Sequence, residues 1–138
     1  MKNLEYFRVG FNCGSVVSQL EKIRDKKEHN GLILKIGYDM IKECENVLNP
    51  NNSKLPENFG LYHKLFFPNW NLIVKSYSKE ELTKILKEKI NQVKQVKTTL
   101  ETILKNKPIS SENIKESIDF FDKLHNRCLS EESPTPYF

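Results

Sequence analysis

The chain has 138 residues, 38% of them hydrophobic, and carries 22 basic against 18 acidic side chains for a formal net charge of +4. That length suits one domain with a core of its own, built without disulfides or a structural metal. Three cysteines, Cys13, Cys44 and Cys128, lie far apart among apolar neighbours, which fits reduced, buried thiols and not a disulfide framework. No run is apolar enough to span a bilayer, and Met1 to Arg8 lacks the apolar stretch of a signal peptide, so a cytoplasmic protein with no membrane partner is expected.

Residues 3–27 read as a first helix. Phe7, Phe11, Val17 and Leu20 form one stripe and Tyr6, Val9, Cys13, Val16 and Ile23 an adjoining one, which predicts burial on two sides. Gly10 and Gly14 strip side chains from one patch of it. Each glycine costs about 1 kcal/mol in helix propensity, so close approach by another helix or a bulky ring is expected there. His29-Asn30-Gly31 breaks the chain, and a second helix over 32–48 opens on Leu32, Ile33, Leu34 and Ile36, a pattern that places it in the middle of the core. Residues 49–58 form a polar loop with Pro50 and Pro56 as breakers.

Residues 59–77 gather Phe59, Tyr62, Phe66, Phe67, Trp70 and Tyr77, six of the fourteen aromatics. Pro68 divides them into a short helix before it and another beginning at it. From Ser78 to Lys107 one long helix is predicted, opened by a Ser78–Glu81 capping box. Its seam of Leu82, Leu86, Val93, Val96, Leu100 and Ile103 is broken only at Lys89, where Ile90 covers the gap. This segment also holds eight lysines against four glutamates and so accounts for the whole net charge. A last helix spans 111–129, with Ile114, Ile118, Phe121 and Cys128 on one face, and residues 130–138 form a flexible tail.

The expected fold is therefore an all-α, antiparallel bundle of four main helices, with a broken aromatic-rich segment between the second and third, in one domain over residues 1–129. Such a bundle suits a non-enzymatic interaction module, oligomeric or a subunit of a larger complex, that binds a protein partner or itself. Candidate contacts for a protein or nucleic acid are Lys84, Lys87, Lys94 and Lys97 on the basic helix together with Tyr62, Trp70 and Tyr77. No phosphate-binding glycine loop, nucleophile motif or paired-cysteine metal spacing occurs, so no metal or cofactor is expected.

The alternative is a basic nucleic-acid-binding helical bundle, with a ribonuclease as its special case. Arg24-Asp25-Lys26-Lys27-Glu28-His29 places an arginine and a histidine four intervening residues apart, the first of them polar. This resembles the short motif of the HEPN ribonucleases, small helical bundles that usually dimerise and join two such motifs across the interface. The resemblance implies that His29 would move the ribose hydroxyl proton and that Arg24 would hold the phosphate.

Overall fold

The computed structural model describes residues 4–51, 55–56 and 59–132. They form α1 (Leu4–Arg24), α2 (Gly31–Leu48), α3 (Leu61–Phe66), α4 (Trp70–Ser76), α5 (Lys79–Leu104) and α6 (Ser111–Glu132). The long helices α1, α2, α5 and α6 pack antiparallel, the short aromatic-rich α3 and α4 lie between α2 and α5, and the described residues contain no strand. Residues 130–132, expected in the tail, continue α6, while 133–138 lie outside the described residues. Among the described residues no helix is long and apolar enough to cross a membrane.

Local chemistry sets the helix ends. The Ser78 hydroxyl accepts from the Glu81 N–H at 3.2 Å and the Glu81 carboxylate accepts from the Ser78 N–H at 2.9 Å, which completes the capping box of α5. Asn30 caps α2 by accepting from the Leu32 N–H at 2.9 Å, and its own N–H donates to the Gln19 side chain at 2.7 Å, tying the turn back to α1. α1 ends three residues before the predicted Lys27. Lys26 turns left-handed at φ 58°, its N–H donating to the Ile23 carbonyl and the Lys27 N–H to that of Lys22. Asn106, at φ 55°, closes α5 with the same pair of bonds. Pro68 belongs to the turn between α3 and α4, and α4 begins two residues after it.

The α5 seam is buried throughout, Ile90 included, against Val9, Cys13, Val16 and Leu20 of α1 and Phe121, Leu124 and Cys128 of α6 in one core. The stripe of Phe7, Phe11, Val17 and Leu20 is only partly used. Leu20 is buried, but Phe7 and Phe11 stay exposed and stack on each other at 6.4 Å, because α1 packs mainly against α6 and α2 and turns one inward stripe to both. α2 likewise sits on the rim of the bundle, not at its centre. Leu34, Gly37, Met40, Ile41, Cys44 and Leu48 turn inward, whereas Leu32 is 77% exposed and Ile36 about half.

Close approaches fix the spacing around α1. A Cβ on Gly10 would lie 2.9 Å from that of Cys128, and one on Gly14 would rest 3.4 Å from the His125 ring, so the two glycines receive α6. On the other side a Cβ on Gly37 would meet the fully buried Val16 at 2.6 Å. α2 and α5 are joined by polar ties: Lys97 Nζ lies 2.5 Å from Glu45 Oε1, Lys94 Nζ 4.0 Å from Oε2, and the Tyr38 hydroxyl donates to Glu101 at 3.0 Å.

These contacts predict opposite outcomes for two glycines of α2. Gly37→Ala should destabilise the protein by about 1–3 kcal/mol, since the stiff valine opposite cannot yield. Gly31→Ala, with nothing within 4 Å, should be neutral or slightly stabilising. Urea denaturation of both variants checks this.

Candidate functional site: the cleft between α5 and α6

Of the neighbouring pairs among the four long helices, α5 and α6 pack the least extensively. A cavity of about 640 Å³ lies between them. Leu65 and Phe66 of α3 close one end, and Val96, Phe120 and Leu124 supply apolar lining. Gln92, Gln95 and Thr99 of α5 face Glu116, Asp119 and Asn126 of α6 as polar walls. A shallower hollow of about 480 Å³ continues along the same two helices past Thr98, Thr102, Glu112 and Asn113. From Lys89 to Thr102 the groove follows α5 for about 20 Å at 1.5 Å per residue.

Lys89 defines one end. Its ammonium lies 5.6 Å and 5.8 Å from the ring centroids of Phe66 and Phe67 and donates to Gln92 Oε1 at 3.0 Å. Burial, and then the like charge of Lys123 on α6, hold this amine below the usual lysine range. Deeper in the same cavity Ser117 is only 1% exposed, and its hydroxyl has no hydrogen-bond partner among the described residues. The basic end of the groove thus meets a channel of mixed apolar and polar lining with an unsatisfied polar atom in its wall.

The residues singled out in the sequence are distributed differently. Lys84 and Lys87 are exposed on α5, whereas Lys97 and, more loosely, Lys94 turn toward Glu45 and help join α2 to α5. Tyr77 is exposed, but Tyr62 and Trp70, expected as contact residues, are buried. The Trp70 ring meets Phe59 edge-on at 5.0 Å and lies tilted at 5.1 Å from His63 and 5.3 Å from Phe67, and the Tyr62 hydroxyl donates to Glu43 at 3.3 Å, so these rings close the end of the core. Arg24 and His29 are both exposed and fall on opposite sides of the left-handed turn at Lys26, with the Arg24 guanidinium 3.1 Å from Asp25. Neither lines the cleft.

Cys13, Cys44 and Cys128 converge from α1, α2 and α6. Burial, and then the nearest neighbouring thiol, push Cys13 and Cys44 well up, so both stay protonated and unreactive. The described residues hold no group of three His, Cys, Asp or Glu side chains placed to bind a metal ion. Comparison with known protein families, with curated proteins and with solved structures returned no match.

His63 makes one pH-dependent contribution. It is fully buried, its Nδ1 accepts from the Gly60 N–H at 3.2 Å, and its Nε2, beside Phe59 and Trp70, has no hydrogen-bond partner among the described residues. Desolvation lowers it from 6.5 to about 4. A depressed folded-state value means that the unfolded chain takes the proton first. The resulting stability is complete above pH 6.5 and is lost as pH falls toward 4, by on the order of 2–3 kcal/mol. Urea midpoints at pH 7 and pH 4.5 should differ by more in the wild type than in His63→Leu.

Proposed function

We propose that the chain is a non-enzymatic helical interaction module whose receptive surface is the α5–α6 groove, and that this groove takes an amphipathic helical segment of a protein partner. The supporting observation is the groove itself. It runs about 20 Å, three to four turns of a docked helix, and pairs apolar lining with polar walls. A cytoplasmic setting and assembly into an oligomer or larger complex belong to the same proposal. Among the described residues no base lies in hydrogen-bond reach of the Ser117 hydroxyl.

Selection from a displayed peptide library, using the full chain as target and Gln95→Trp as the blocked counter-target, tests this reading. The expected survivors carry apolar residues at i, i+3 or i+4, and i+7, and bind Gln95→Trp about tenfold more weakly or worse. Survivors that bind both targets equally would remove the groove from the account, and self-association lost in Gln95→Trp would identify the partner as a second copy.

The nucleic-acid alternative has its support in Lys84 and Lys87, which are exposed and take part in no ion pair among the described residues. With Lys94 and Lys97 turned toward Glu45, single-stranded RNA affinity should fall with salt at a log–log slope of about −1.4, for two phosphate contacts and not four. Fluorescence anisotropy over a salt series reads the slope directly. In the same samples Arg24→Ala and His29→Ala should leave the strand as intact as the wild type does; wild-type cleavage abolished by either change would revive the ribonuclease reading.

A further inference from the structure

We infer that the Lys89–Lys123 end of the groove is a carboxylate seat, which anchors the docked segment through an acidic side chain carried next to its apolar stripe. The inference rests on the groove reading above and specifies the chemistry of its occupant. Lys89 of α5 and Lys123 of α6 line the same cavity from opposite helices, and the like charge of Lys123 disfavours the Lys89 ammonium. Among the described residues neither forms an ion pair, although Asp119 and Glu116 stand one and two turns before Lys123 on α6. Two like charges facing each other cost energy that a single anion between them would reverse.

The seat is also preorganised. Lys89 is half-buried, its ammonium rests over two aromatic rings, and Gln92 holds its Nζ at 3.0 Å. Little side-chain freedom is left to lose when an anion arrives. Partial burial strengthens the attraction relative to an exposed lysine, because the surrounding dielectric is lower. About two turns along α6 from Lys123, the unpartnered and almost fully buried Ser117 hydroxyl offers a second polar anchor beyond the apolar lining. An occupant must therefore join an anionic group to an apolar body, as a glutamate or aspartate beside aliphatic residues does. The groove's far end, with Glu112 and Glu116, would repel a second acid and so favours one orientation.

Decanoate, an apolar chain ending in a carboxylate, is the probe. Isothermal titration of the full chain should show saturable binding of one decanoate, weakened about tenfold in Lys89→Met and in Lys123→Met and unchanged in Lys84→Met, the methionines keeping the aliphatic stems in place. Decan-1-ol should bind no better than decanoate binds the Lys89→Met variant. Absence of decanoate binding, or equal binding to wild type and both variants, would overturn the seat. Inorganic phosphate binding as tightly as decanoate would overturn the carboxylate assignment. Library-selected peptides that need an open groove but are indifferent to Lys89→Met would remove the seat and leave the groove reading standing.

Discussion

The bundle depends on how closely α1 is gripped by its two neighbours. Gly10 and Gly14 let Cys128 and the His125 ring of α6 settle against its backbone, and Gly37 lets Val16 reach the backbone of α2. Side chains in these positions would push the helices apart, and packing at this density cannot absorb such a displacement. α6 and α2 are therefore set by α1, and α5 is set by α2 through the apolar seam and the Glu45 ties. α5 and α6 pack less extensively than the other neighbouring long helices, and a groove lies between them.

That arrangement assigns different work to residues that look alike in the sequence. Lys97 spends its charge on a carboxylate of a neighbouring helix, whereas Lys89, two turns earlier on α5, rests over aromatic rings without one. Tyr62 and Trp70 close the core, while Phe7, Phe11, Leu32 and Ile36 stand in solvent as two pairs one turn apart on α1 and α2. These exposed pairs are separate rival apolar patches, but they have neither the concavity nor the charged end of the groove.

Much of the fold was legible because it is written in local signals. The capping box of α5, its alternating seam and the breaks at Gly31 and Pro68 each act within a few residues. Gly10 and Gly14 announce a close approach by their shared spacing and cost, whereas Gly37, with the tightest contact of the three, stands alone beside Ile36. The sided burial of α1 and α2 was harder to read, since an apolar residue does not say which neighbour will cover it. The groove left two faint traces. Lys89 interrupted the seam, and Ser117 sat on the apolar stripe of α6 between Ile114 and Phe121. Each reads alone as a tolerated irregularity, and only the antiparallel pairing of α5 with α6 brings both into one cavity.

The central claim is that this groove, and not the exposed apolar pairs of α1 and α2, receives the partner. Amide shift mapping of the isotope-labelled full chain with a library-selected peptide tests it most directly. The account predicts perturbations along α5 from Lys89 to Thr102 and along α6 from Glu112 to Arg127, with the outer faces of α1 and α2 undisturbed. Perturbations centred instead on Phe7, Phe11, Leu32 and Ile36 would contradict it.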